Sequence, residues 1–314
     1  MKKILVLAGA ATMMFAVAAS AQNPQVFDLP KFNNPPVLDG DRASVAGEWD
    51  NTLMLDCSPS QVVADGGQYG WRDQESLQSE ISVVQLGTSD GEDAAEARTD
   101  ADYSSTIYQG WDEDAFYFLI EARDNIRDDS GAGTETNWWE RDSMCLYIDM
   151  VNSREEWGGS GYVYERARLN LINFVAAPQA SSSVTVTWER LIQDERTPTQ
   201  DPDEIEGLEY GFADMGDAFG GEEDYVIEGK VPWETLLRYN LPAVPTTGSE
   251  MGLVWLAADP DGDEGYGGQI QCGGWADNPA DYSTVIFTDA PAGPSGSSTS
   301  VQSDSWGAVK ASFK

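Results

Sequence analysis

Apolar residues in this chain recur at every second position in one segment after another, and that alternation restricts the fold more than any other feature. Successive side chains on a strand point to opposite faces, so a period of two marks one face turned toward a core. From Ala115 to Arg123, Phe116, Phe118, Ile120 and Ala122 take one face while Tyr117, Leu119, Glu121 and Arg123 take the other. Met144, Leu146, Ile148 and Met150 form a second row. Val184, Val186 and Trp188 repeat the pattern, as do Tyr225, Ile227 and Gly229 and the run from Met251 to Ala257. Clusters of Gly, Asp and Asn separate these segments, which together predict an all-β sandwich. Helical periodicity is confined to a short stretch near 232–239, where Pro232 suits a first-turn position and Trp233, Leu236 and Leu237 share a face.

The ends of the chain read differently from its middle. Lys2 and Lys3, the apolar run Ile4 to Ala19 and the Ala19-Ser20-Ala21 triplet have the order of a secretory signal over 1–21. No other window holds some 18 uninterrupted apolar residues, so no membrane insertion is expected after signal removal. The sandwich is expected over 22–290, with a polar, acidic insertion at about 57–102 that bears one strand near Glu80 to Leu86. From 291 to 314 a Ser/Gly/Pro-rich linker leads into a strand-like segment beginning at Trp306, which either docks on the sandwich or serves as a sorting or anchoring signal.

Charge and composition exclude several kinds of chemistry. The net charge is −36, which repels nucleic acid and anionic lipid, since neither gains counterion release from an acidic partner. The same surface suits divalent cations or a saline habitat. There is no histidine, which removes Ser-His-Asp and Cys-His nucleophilic catalysis and histidine-held zinc or haem. Three cysteines in an exported chain allow one internal bridge. Cys57 and Cys272, both in loop-like sequence, are the favoured pair, and Cys145 reads as a small buried strand residue.

Four groups of residues have site chemistry. Trp138 and Trp139, ahead of Glu140-Arg141-Asp142-Ser143, offer flat ring faces suited to stacking on a pyranose, or else plug one end of the sandwich. Arg168 and Asn170 alternate with Leu169 and Leu171. A guanidinium fork and an amide on one face supply the donors and acceptor that vicinal hydroxyls need, or are ordinary polar decoration of an exposed strand. Asp259, Asp261 and Asp263, with Gly262 and Gly265, place hard oxygen ligands in a turn that favours calcium, or form a solvated acidic loop. Asp124, Asp128 and Asp129 make a second acidic group, read as solvated.

Taken in order, the motifs resemble the family-9 carbohydrate-binding modules. Pro36-Val37-Leu38-Asp39-Gly40 with Glu48-Trp49 is similar to that family's opening motif, and Trp111-Asp112-Glu113-Asp114-Ala115-Phe116-Tyr117-Phe118 to its next strand. Trp139 to Ser143 running on to Ile148-Asp149, Arg168-Leu169-Asn170, Tyr225 to Trp233, and Asp259-Pro260-Asp261 follow in register with it. The resemblance spans about Pro36 to Thr288. It implies an antiparallel jelly-roll-like β-sandwich with structural calcium, binding a polysaccharide or oligosaccharide without catalysis, with Trp139 as one clamp ring and Arg168 and Asn170 as hydroxyl readers. Two positions depart from the family. Cys145 stands where it has a sugar-contacting glutamate, and between Trp275 and Phe287 there is no second clamp tryptophan, which leaves Trp275 or Tyr282 as the substitute wall.

The expectation is a secreted, periplasmic or cell-surface bacterial carbohydrate-binding protein. A cell-envelope structural protein with a decayed sugar site is the alternative that Cys145 motivates. A glycoside hydrolase is the third reading, and a haem relative would need methionine and lysine as axial ligands.

Overall fold

The computed structural model describes residues 25–64, 68–69, 83–85, 99–126, 142–154, 166–174, 183–192, 195–196, 209–237, 241–259, 269–274, 276 and 279–294. In chain order its elements are β1 (Val26–Phe32), β2 (Leu53–Asp56), α1 (Pro59–Ala64), β3 (Gln68–Tyr69), β4 (Val83–Gln85), β5 (Tyr103–Trp111) and β6 (Ala115–Asp124). There follow β7 (Ser143–Asp149), β8 (Arg166–Phe174), β9 (Ser183–Ile192), β10 (Glu195–Arg196), β11 (Glu209–Gly216) and β12 (Asp224–Pro232). The last are α2 (Trp233–Leu237), β13 (Glu250–Ala258), β14 (Gln269–Cys272), a 3₁₀ turn Pro279–Asp281 and β15 (Ser283–Ala292).

All the strands join one sheet that folds over on itself, which makes the two layers of a sandwich. One half runs β2-β5-β6-β12-β11 and the other β10-β9-β8-β7-β13-β15, with β14, β4 and β3 attached to β13. The pairings within each half are antiparallel except β3 with β4. β1 is the seam: it lies parallel to β15 along most of its length and parallel to β5 through the single Lys31–Trp111 bridge. Pro30, which has no N–H to donate, falls where the β1–β15 register shifts between Leu29 and Lys31.

The inward rows meet as the alternation requires. Ile107, Phe118, Ile120 and Ile227 from one half share a core with Leu146, Ile148, Leu253, Trp255 and Phe287 from the other. Phe118 meets Trp255 with ring centroids 5.3 Å apart and Trp111 meets Phe287 at 5.1 Å, both edge to face. Gln109, buried among these rings, accepts a 2.9 Å hydrogen bond from Trp255 Nε1. The outward rows are covered too. Trp49, Phe32, Tyr117, Leu119 and Val226 pack beneath the loop between β1 and β2, so β6 is apolar on both faces, as a doubly covered strand should be.

α2 starts at Trp233, because Pro232 still belongs to β12; Trp233 and Leu236 are buried, but Leu237 is 40% exposed, so the three do not share one buried face. Within 57–102 the described residues form α1, β3 and β4, and β4 is the strand expected near Glu80 to Leu86. Cys57 and Cys272 are bonded, with Cα atoms 5.8 Å apart, which ties the chain after β2 to the end of β14 in the opposite half; Cys145 is buried and free. Among the described residues no helix is long and apolar enough to cross a membrane. Residues 1–21 and the segment after Trp306 lie outside the described residues.

Candidate functional site

On the second half of the sandwich, Arg168 stands opposite Tyr147 and Asn170 opposite Cys145 across the β7–β8 ladder, while Leu169 stands opposite the core residue Leu146. Directly opposed positions share a face, so Arg168 and Asn170 belong to the outward row. Its β7 members are covered. Cys145 and Tyr147 join Val254, Leu256, Ala258, Ala276 and Tyr282 in a separate apolar cluster, and Cys145 is 0% exposed. The cover is hydrogen-bonded in place, with Ala276 N donating to Gln271 Oε1 at 2.6 Å and Tyr282 OH donating to the Ala276 carbonyl. Tyr282 thus serves as a buried strut. Trp139 and Trp275 lie outside the described residues.

A second arrangement joins the two halves at one end of the sandwich. Asp124 closes β6, Asp142 precedes β7 and Asp259 follows β13; all three are buried, and each places a carboxylate oxygen within 4.8 Å of the others. Asp124 is therefore not the solvated residue its neighbourhood in the sequence suggests: it continues the inward row of Phe118, Ile120 and Ala122. Its main chain is fixed by Asp224, whose Oδ1 accepts from Asp124 N at 3.1 Å, and by Glu222 N and Glu223 N, which donate to its carbonyl at 2.9 and 3.0 Å. Tyr103 and Tyr225, also fully buried, lie beside these acids, and desolvation foremost raises both phenols above their usual range. Oxygens on opposite sides of a calcium ion bound at about 2.4 Å would be about 4.8 Å apart, so spacing and all-oxygen chemistry suit a hard divalent cation, which would also offset three like charges. Asp261, Asp263, Asp128 and Asp129 lie outside the described residues.

The sequence reading missed a third group. Glu228, on the outward row of β12, is fully buried and accepts from Asp39 N and Gly40 N, each at 2.7 Å, and from Trp49 Nε1 at 3.2 Å. Glu48 accepts from Val37 N at 3.0 Å. The Pro36–Gly40 and Glu48–Trp49 motif is thus a clasp that holds the loop between β1 and β2 onto the sheet. Gly40, at φ 80°, brings its backbone so close to Gly211 that a Cβ on Gly211 would stand 2.9 Å from Gly40 N. The available signal was a glutamate between two buried rows in Val226-Ile227-Glu228. Burial pushes the Glu228 carboxyl up to about 7; the Gly40 and Asp39 donors lower it, and the charges of Glu48 and Asp39 raise it.

Comparison with known proteins agrees with the resemblance read from the motifs. The model of the family described as carbohydrate family 9 binding domain-like matches residues 82–195. No curated protein matches. Among solved structures, a family 9 carbohydrate-binding module from Caldicellulosiruptor kristjanssonii in complex with cellotriose is 13% identical, with 86% of this chain and 95% of that chain covered and a TM-score of 0.48. A family 9 module from the same organism in complex with glucose is 12% identical, with 87% and 99% covered and a TM-score of 0.47. The stretch from 82 to 195, which contains Trp139, Cys145, Arg168 and Asn170, is therefore similar to the carbohydrate family 9 binding domain.

Proposed function

We propose that the protein is a secreted, non-catalytic carbohydrate-binding protein whose glycan lies on the outward face of β7 and β8. Trp139 supplies the stacking ring, Arg168 and Asn170 read the hydroxyls, and Trp275 forms a second wall. The observation that carries this reading is the family match over 82–195, which contains three of these four residues. Calcium is structural in this reading, held by Asp124, Asp142 and Asp259, with Asp261 and Asp263 on the same loop as further ligands. The Cys57–Cys272 bond supports export, because such bonds persist in oxidising compartments.

Titration calorimetry against a panel of neutral oligosaccharides tests the proposal. Trp139→Ala is expected to weaken binding by about 5- to 150-fold, since a stacked aromatic platform contributes about 1–3 kcal/mol. Undiminished affinity in that variant would remove Trp139 from the site. One observation favours a second reading, a cell-envelope scaffold with a lost glycan site: Cys145 and Tyr147 are sealed beneath Ala276 and Tyr282. That reading predicts no binding across the panel and retention of the protein on the cell surface. Turnover of a chromogenic glycoside would instead establish a hydrolase.

A further inference from the structure

Among the described residues, β2 is hydrogen-bonded to another strand on one edge only. That partner is β5, with Leu53 opposite Gln109 and Asp56 opposite Thr106. An open edge presents a row of unpaired N–H and C=O groups, which can take up an added strand. Leu53 and Leu55 face inward and pack half-buried against the core, while Met54 and Asp56 face outward and are exposed. We propose that the segment 306–314 of the same chain docks on this edge as an added strand, with Lys310 set against Asp56.

The described chain departs from the sandwich beside β2. After β15, Gly293 N donates to the Asp50 carbonyl at 2.7 Å, and Asn51 Nδ2 donates to the Gly293 carbonyl at 3.4 Å. The exit thus lies next to the residues that lead into Leu53. Residues 295–305 reach about 40 Å when extended, against about 13 Å for the length of β2, so both strand directions are within range.

The residue pattern fits the edge. In 306–314, Gly307, Val309, Ala311 and Phe313 alternate with Trp306, Ala308, Lys310, Ser312 and Lys314. Directly opposed residues share a face, so Lys310 opposite Asp56 puts Val309 and Phe313 on the row of Leu53 and Leu55, whichever way the strand runs. Trp306, Lys310 and Lys314 then join the outward row of Met54 and Asp56. A slip of one residue would turn both lysines toward the core.

Charge selects the same register. Beside β2, the outward face of β5 and β6 holds a cavity of about 330 Å³ whose lining includes Asp56, Asp100, Glu121 and Arg123. Arg123 offsets one of these three carboxylates, and Glu121 Oε1 already accepts from Arg42 Nε at 2.7 Å. Asp56 accepts from Ser58 N at 2.9 Å and Asp100 from Ser60 N at 2.8 Å and from Ser60 Oγ; these neutral donors leave the negative charge in place. The segment 306–314 carries two lysines and no acid in a chain of net charge −36, so it is drawn to this acidic surface. Exposed ion pairs contribute little by themselves. They set the register here, and the edge hydrogen bonds and the apolar row hold the strand.

The test uses the full mature chain at low micromolar concentration. Hydrogen exchange followed by mass spectrometry is expected to show the amides of 308–313 exchanging at least tenfold more slowly than in an unfolded chain. Carbodiimide coupling is expected to join Lys310 or Lys314 to Asp56, Asp100 or Glu121 within one chain. Asp56→Lys should reduce the protection of 308–313 at least threefold while leaving exchange in 103–111 and 115–124 unchanged, and adding Lys310→Glu to that variant should restore it. Exchange of 308–313 at the unfolded rate in the unmutated protein overturns the proposal. Couplings confined to other surfaces, or protection that Asp56→Lys does not alter, overturn it as well. Protection that appears only with rising concentration and with dimers overturns the seat within one chain in favour of exchange between two copies.

Discussion

Two of the buried acidic groups among the described residues are built in different ways. Glu228 is one carboxylate facing three N–H donors, all supplied by a single loop. Asp124, Asp142 and Asp259 are three carboxylates from three strand ends, drawn within 4.8 Å of each other. Backbone amides can solvate a lone buried acid, because each donor adds a partial positive charge where the carboxylate needs it. Three acids together exceed what a few amides can offset, and such a group works best around a cation. The first arrangement clasps a loop onto one sheet half; the second bridges the two halves.

The cation tests the larger side of that contrast. Chelation is expected to lower unfolding free energy by about 3–4 kcal/mol when free calcium had been held 100- to 1,000-fold above its dissociation constant, seen as a drop in Tm that added calcium restores. Asp259→Asn should abolish the restoration; a Tm indifferent to chelator and calcium would break the contrast. Next in size is the clasp. Glu228→Ala leaves the Asp39, Gly40 and Trp49 donors without their acceptor, expected to cost about 3 kcal/mol by denaturant titration. Glu228→Gln, which keeps an acceptor oxygen, should cost about 1 kcal/mol. Equal losses in the two variants would show that volume, not hydrogen bonding, holds the loop.

The smallest effect is the pH dependence of the clasp. Glu228 rises from its ordinary 4.5 to about 7 in the folded protein, so the folded state binds a proton that the unfolded state has released. Its contribution is therefore fully present below about 4.5 and is lost as pH climbs through about 7, a change of about 1–3 kcal/mol. Subtracting the Glu228→Gln stability curve from that of the unmutated protein isolates it from the many other acids. A flat difference between pH 4.5 and 7.5 would refute the raised value.

Much of the sandwich was legible because β6, β7, β8, β12 and β13 each keep a row of largely apolar residues at every second position, even where, as in β6, the other row is apolar too. β5 was not, because its inward row carries Ser105 and Gln109 among Tyr103, Ile107 and Trp111, and polar residues in a buried row erase the contrast on which periodicity depends. β1 was hidden by Pro30, and its parallel pairing to two strands leaves no local turn signal. At the site, the sequence singled out Asp259 but grouped it with its loop neighbours. Its partners Asp124 and Asp142 are brought in by strand pairing across the chain, and alternation within a strand does not record which strand ends will meet. Glu228 escaped for a related reason: its three donors come from the far side of the chain, so nothing adjacent to it announces the contact.

The seam has a consequence for how this molecule is made. β1 closes the sheet by pairing with β15, so β1 must wait for a strand that is synthesised after every other described strand. Such high contact order makes for slow, all-at-once closure, and the unpaired edges stay open to aggregation until β15 has been made. Shortening the chain from its C-terminal side into β15 should therefore yield insoluble material rather than a smaller folded domain.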